Sequence, residues 1–282
     1  MESSTLDTSS VLINEDGSVC PVSAAISKSD LRDIVWNFLE ARNLAEFPRP
    51  VHNRIPNFKG SDAACDFCST LESYVKADVV KIGPDTPQRR LRYLALQNQK
   101  TLLVPTPRLR SGLFNEIKPP NGLPSTLRTC STQQGIRQHS RPIELNESIK
   151  VDAVVTGCVC VSAGGRRIGK GEGFADLEYA MARLLGYIYE DTPVITTVHD
   201  CQVFDYLPDK LFGQHDVPVD WICTPSRIIR CQGNFPKPKE IYWSMLSEDR
   251  LNSMPILRTI RKMFQPPRTN APSVGHPFAE IE

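Results

Sequence analysis

Two strand–helix–strand patterns constrain this chain more than any other feature. The first begins with Val79-Val80-Lys81-Ile82-Gly83, a short apolar strand ending in a turn. It continues through a helix opened by Thr86-Pro87 and carried on by Leu91, Leu94, Ala95 and Gln99, to the strand Thr101-Leu102-Leu103-Val104-Pro105. Proline suits the first helical position, where its missing N–H would have no intrahelical partner. The second pattern runs from an apolar strand over 151–156, through a glycine-rich turn and a helical stretch over 177–189, to Val194-Ile195-Thr196-Thr197-Val198. This order predicts parallel neighbouring strands joined by right-handed crossovers. Its repetition predicts a three-layer α/β/α fold with a mostly parallel sheet, to which Trp221-Ile222-Cys223-Thr224 adds a strand.

The α/β domain is expected over 25–235. Residues 1–24 are Ser, Thr, Asp and Glu with few apolar anchors, the composition of a disordered tail. Ser27-Lys28-Ser29-Asp30 reads as a capping-box start, followed at helical spacing by Leu31, Ile34, Val35, Phe38 and Leu39, with the helix ending near Asn43. A second helical stretch spans about 62–76. The polar, turn-rich segment between Pro119 and Pro142 reads as a long loop, over the mouth of a site or elsewhere on the surface. A helical extension is expected over 236–263, with helices near 241–245 and 256–263, and a flexible Pro-rich tail over 264–282.

Composition narrows the function classes. With a formal net charge of +1 over 282 residues, bulk charge draws the chain to neither nucleic acid nor membrane. No apolar run reaches bilayer-spanning length. The first residues are neither a secretory signal nor an Arg-rich transit peptide, so the chain reads as soluble and cytoplasmic, without a membrane partner. Nine cysteines form no disulfide-like framework. Cys65 and Cys68 make a C-x-x-C inside a helical stretch with no second pair at zinc spacing, and read as buried structural thiols. Basic clusters (Arg89, Arg90 and Arg92; Arg108 and Arg110; Arg227 and Arg230) read as solvated faces, or as a phosphate-backbone patch if they converge.

The densest chemical signal is Arg167-Ile168-Gly169-Lys170-Gly171-Glu172-Gly173-Phe174-Ala175-Asp176. Alternate glycines let backbone N–H groups approach a ligand closely, and the helix N-terminus behind them favours anions. One reading is a phosphate cradle, with Arg167 and Lys170 supplying charge and Asp176 reaching a metal ion; the other is an ordinary tight surface turn. Lys28 and Arg32 share a helix face but oppose the helix dipole in its first turns. Either they meet an anionic ligand or they are a solvated pair. Asp216, in His215-Asp216-Val217-Pro218 before a strand, is by itself a turn former.

The glycine segment resembles the R-L-G-x-G-x-G-Y-Y-D signature of the 5-formyltetrahydrofolate cyclo-ligase (methenyltetrahydrofolate synthetase) family. Arg167, Gly169, Gly171, Gly173 and Asp176 fall on its fixed positions. The resemblance covers roughly 26–230. It implies that Lys28, Arg32, Arg167, Gly169, Lys170, Gly171, Gly173 and Phe174 bind ATP, with Arg167 also catalytic. It further implies that Asp176 and Asp216 hold Mg2+ and that a reduced folate is the substrate. In the family reaction ATP phosphorylates the formyl oxygen, the neighbouring nitrogen closes the ring, and phosphate departs. Three positions depart from the pattern: Ala175 stands at the second aromatic, Glu172 where Lys or Gly is usual, and the place of a substrate-binding Glu, counted from Arg54-Ile55-Pro56-Asn57-Phe58, falls near Ala64. The glycine segment together with Arg54–Phe58 is most similar to one branch of the family, in which an RNA-recognition module follows the domain. No Lys/Arg-Gly-aromatic signature of that module is found here. The implied function is a binding protein with a Mg-ATP site and a degenerate folate site, with RNA as a further partner. The alternative is an active ATP-dependent cyclo-ligase.

Overall fold

The computed structural model describes residues 26–264 and, upstream, the backbone of two short strands, Val11–Ile13 and Val19–Pro21, which pair antiparallel. The tails expected over 1–24 and 264–282 otherwise lie outside the described residues, apart from Phe264, which ends a helix.

An eight-stranded sheet organises the chain. Its strands are β1 (Val79–Ile82), β2 (Thr101–Pro105), β3 (Phe114–Ile117), β4 (Ser140–Pro142), β5 (Ala153–Thr156), β6 (Val194–Thr197), β7 (Trp221–Cys223) and β8 (Ile228–Arg230). In space they run β8-β7-β6-β5-β1-β2-β3-β4. The five from β7 to β2 are parallel, while β8 at one edge and β3 and β4 at the other pair antiparallel. Successive side chains of a strand point to opposite faces, and the core divides accordingly. Val154 packs with Leu103, Val194 and Ile222 on one face; Ala153 and Val155 pack with Val80, Leu102 and Ile195 on the other. Helices Phe174–Leu184 and Pro255–Phe264 cover the first face through Met181, Leu257 and Ile260. Helices Ser61–Thr70, Arg89–Gln97 and Pro124–Cys130 cover the second through Cys65, Leu91 and Leu127. The expected three layers are therefore present.

The first helix, Lys28–Ala41, sits apart from both faces. Ser27 Oγ accepts the Asp30 N–H at 3.2 Å and the Asp30 carboxylate accepts the Ser27 N–H at 2.8 Å, the expected capping box. Leu31, Val35 and Leu39 are buried against a small three-stranded sheet of Cys160–Ser162, Arg167–Ile168 and Val203–Phe204. A fully buried leucine contributes about 1.5–3 kcal/mol, so Leu31 and Leu39, both 0% exposed, fix the helix that carries Lys28 and Arg32.

Several expectations shift. The segment 119–142 is not one loop and does not cover the site. It forms helices Pro124–Cys130 and Gln133–Gln138, whose Leu127, Cys130 and Ile136 pack into the second core. Its Pro, Ser, Thr and Gly content disguised two short helices whose formation depends on that packing. The glycine segment does not follow β5 directly, because the hairpin Cys160–Ser162/Arg167–Ile168 intervenes. The helix after it starts at Phe174, one turn earlier than the apolar periodicity indicated. The cysteines behave as expected: Cys65 and Cys68 are free and buried, and burial pushes the Cys65 thiol up to about 12.

Candidate functional site

The strand order reverses between β1 and β5. The chain goes from β1 outward to β2 in one direction and from β5 outward to β6 and β7 in the other. In open α/β sheets such a reversal leaves a crevice beyond the strands' carboxyl ends, where ligands bind. A cavity of about 360 Å³ lies there, lined by Gly83 and Asp85 after β1 and by Thr156 and Gly157 at the end of β5. Its other lining residues include Lys28, Arg32, Arg167 to Asp176 and Asp216. Residues up to 188 positions apart thus line one hollow.

The glycine wall is held by backbone geometry. Gly171 adopts φ +102° and Gly173 φ +65°, conformations that side-chain-bearing residues rarely take. A Cβ on Gly171 would lie 3.2 Å from the Arg32 guanidinium carbon, so the glycine also makes room for that arginine. Arg32 Nε donates to the Gly169 carbonyl at 2.7 Å, tying the first helix to the loop. Gly173 is the N-cap of the Phe174–Leu184 helix, whose first N–H groups have no intrahelical partner, and Gly173 to Asp176 line the cavity. Gly169 itself lies close to Arg167, whose NH1 would stand 3.1 Å from a Cβ there.

Acids and cations on this wall are matched. Lys28 Nζ sits 2.6 Å from Asp216 Oδ1. Lys170 Nζ sits 3.0 Å from Glu172 Oε2. Arg167, 3% exposed, pairs with Asp176 and also donates to the Val217 carbonyl at 3.2 Å and the Gly157 carbonyl at 3.1 Å. Asp176 in turn accepts the Val217 N–H at 3.1 Å, which brings it beside the loop of Asp216. Two carboxylates in one hollow, with room for waters and phosphate oxygens, fit the needs of Mg2+. No cluster of three or more His, Cys, Asp or Glu side chains with metal-site geometry exists among the described residues, so a divalent ion here would rely on its ligand for the remaining oxygens.

The opposite wall carries a residue the sequence reading passed over. Asp85 follows β1 in Gly83-Pro84-Asp85 and its carboxylate lies against Gly157, where a Cβ would come within 2.8 Å of Oδ2. Burial raises its pKa, opposed by the charges of Lys170, Arg92 and Lys81, yet among the described residues it forms no ion-pair contact. Arg92 holds this loop from behind, donating to the carbonyls of Gly83 at 2.5 Å, Asp85 at 3.0 Å and Ser131 at 2.9 Å. The only signal available beforehand was an acid just past a parallel strand's carboxyl end. Ala64, where the substrate-binding Glu was sought, is buried within helix Ser61–Thr70 and does not line the cavity.

Between the walls, Lys81 of β1 and Glu178 of the glycine-wall helix form a buried pair at 2.7 Å. Burial raises the Glu178 pKa and the Lys81 charge opposes the rise.

The basic clusters are split between engaged and exposed arginines, with Arg89, Arg108 and Arg110 exposed and Arg108 in the cavity lining. Arg92 is 1% exposed and fully engaged, Arg90 pairs with Asp66 at 2.6 Å, and Arg230 stacks over Trp221 at 5.8 Å. Among the described residues no helix is long and apolar enough to cross a membrane.

The fold and its hollow are those of an open α/β protein with a crevice at the point where strand order reverses. The chain belongs to the 5-formyltetrahydrofolate cyclo-ligase family, whose model matches residues 24–225. It is 52% identical over 248 residues to the methenyltetrahydrofolate synthase domain-containing protein of Danio rerio and 51% identical over 242 residues to that of Homo sapiens. These matches cover 88% and 86% of this chain but 65% and 63% of those proteins, so the chain spans a little under two thirds of their length. The solved 5,10-methenyltetrahydrofolate synthetase of Aquifex aeolicus is a more distant likeness, at 18% identity and TM-score 0.45, covering 74% of this chain and 94% of that one.

Proposed function

We propose that this domain binds a magnesium–nucleoside triphosphate along the glycine wall and works as a binding protein of the cyclo-ligase family. The observation that carries the reading is the matched wall: each of its acids already has a cation, and Arg32, which has no ion-pair contact among the described residues, adds a further positive charge to the lining. Such preorganised donors in a recessed site favour phosphate oxygens without reorganisation. Lys28 and Asp216, paired with each other at 2.6 Å, would serve the phosphate and the metal respectively. Asp176 and Asp216 would hold Mg2+, which neutralises charge on the phosphate chain. Arg167, expected beforehand to be catalytic, acts in this reading as a positioning residue. Its guanidinium is directed at Asp176, Val217 and Gly157 and sets the angle of the Asp176 carboxylate.

A second reading, ATP-dependent 5-formyltetrahydrofolate cyclo-ligase, is favoured by Asp85. It gives the pocket an acid able to meet a donor-rich ring, the element that seemed missing when only Ala64 was considered. RNA gains little support from these clusters, because Arg92 is buried, Arg90 is paired with Asp66 and Arg230 lies over Trp221.

One experiment separates the readings. The pure protein is titrated with Mg-ATP by calorimetry and, in parallel, incubated with Mg-ATP and 5-formyltetrahydrofolate while methenyl product absorbance is followed. Heat of binding without product supports the binding protein; product supports the cyclo-ligase; neither heat nor product removes both.

A further inference from the structure

Residues 226–264 lie beyond the stretch matched by the family model, yet they are built into the domain. Leu251, Met254, Ile256, Leu257 and Ile260 are buried in the same core as Tyr179 and Met181. This packing brings the short helix Glu248–Ser253, capped by Ser247 Oγ, which accepts the Arg250 N–H at 3.2 Å, against the glycine loop. There the Arg250 guanidinium lies 4.7 Å over the Phe174 ring and donates to the Glu172 carbonyl. The same group bounds the space above Gly173, where a Cβ would stand 3.7 Å from NH2. On the other side of the loop Lys170 holds the Glu172 carboxylate at 3.0 Å.

An acid inside an anion cradle repels phosphate unless it is compensated. The Glu172 carboxylate is paired within the loop by Lys170, and a second cation from beyond the family-model match, Arg250, is hydrogen-bonded to the Glu172 backbone carbonyl. We infer that Arg250 is a positioning and specificity-determining residue of the pocket: the C-terminal extension clamps the glycine loop by its Phe174 ring and Glu172 carbonyl, and offsets the Glu172 charge so that the cradle accepts a phosphate chain. Arg250 stands behind the loop rather than in the cavity lining, so it acts through the loop and not by touching the ligand. A cation over an aromatic face and a charge-assisted hydrogen bond are both directional contacts, so they fix the loop as well as neutralise it. The inference deepens the nucleotide reading and rests on it.

The test is a cycle of Arg250→Met and Glu172→Gln, singly and together, with Arg250→Lys as the charge-conserving control. Each variant is melted to show that it folds, then titrated with Mg-ATP and with inorganic triphosphate across a salt series. Arg250→Met is expected to weaken both ligands about fivefold to tenfold at low salt, with a shallower salt dependence, while Arg250→Lys stays within about threefold of the parent. Glu172→Gln alone tightens binding, and in its background Arg250→Met costs only about twofold. A folded Arg250→Met protein with parental affinity overturns the inference while leaving the nucleotide reading intact. So does an equal loss in both backgrounds, which would reduce Arg250 to packing. If the parent protein takes up neither ligand, the nucleotide reading fails and the inference fails with it.

Discussion

The two walls of the pocket are built on opposite electrostatic plans. On the glycine wall Asp176, Asp216 and Glu172 each have a cation within contact, and the loop is pinned by Arg32 and by glycines at positive φ. On the facing wall Asp85 is recessed, its pKa raised by burial, and it has no ion-pair contact among the described residues. Acids in contact with cations leave a wall open to an anion, whereas an acid with only distant charges about it favours a partner that donates hydrogen bonds or carries positive charge. On the proposed nucleotide reading the glycine wall takes the polyanion and the Asp85 side a hydrogen-bond donor, and the buried Lys81–Glu178 pair lines the same hollow.

The largest effect is expected at that pair. Removing one member of a buried ion pair strands the other, so Glu178→Leu should lower stability by about 3–5 kcal/mol, read by urea unfolding. The double variant Lys81→Met with Glu178→Leu should recover most of that loss, because an apolar pair of similar volume is often neutral or better. If the double variant is as unstable as the single, the pair is not an isolated electrostatic unit. Next, Arg32→Ala should weaken Mg-ATP about tenfold to a hundredfold, since it removes a charge-assisted contact and the tie to Gly169. Gly171→Ala follows: forcing a side chain to φ +102° beside Arg32 should cost about 1–3 kcal/mol and loosen nucleotide binding in step.

How far these walls could be read beforehand depended on pattern. The two strand–helix–strand units were legible because apolar runs and turn residues alternate, and the Ser27–Asp30 cap because its residue types are diagnostic. Lys28, Arg32 and Asp216 were brought to one place by the resemblance, not by spacing; no local pattern links residues 188 positions apart. Asp85 is a single acid in a turn, and only strand order shows that the turn opens onto the reversal point. Arg167 reads in the sequence as a charge of the glycine loop, and its burial at 3% exposure on the second strand of the hairpin had no local signal. Arg250 was silent, since its partners are a carbonyl and a ring about 76 positions away in the chain.

The smallest expected effect sharpens the contrast from the Asp85 side. Its folded pKa lies above the ordinary value of 3.8, so the native state binds the extra proton more readily. Stability contributed by that protonated form is present below 3.8 and is lost as pH rises through the folded value. Asp85→Asn removes this loss, and should raise Tm at pH 7 by roughly 2–4 °C with little change at pH 3.5. An unchanged Tm at pH 7 would mean that the carboxylate is well solvated and the facing wall is not electrostatically distinct.

The division of the pocket is tested most directly by calorimetric titration of Mg-ATP into the parent protein, Arg32→Ala and Asp85→Asn at one salt concentration. The parent and Asp85→Asn should bind with similar affinity while Arg32→Ala loses most of it. Equal losses in both variants, or no heat from the parent protein, would contradict a glycine wall built for a polyanion.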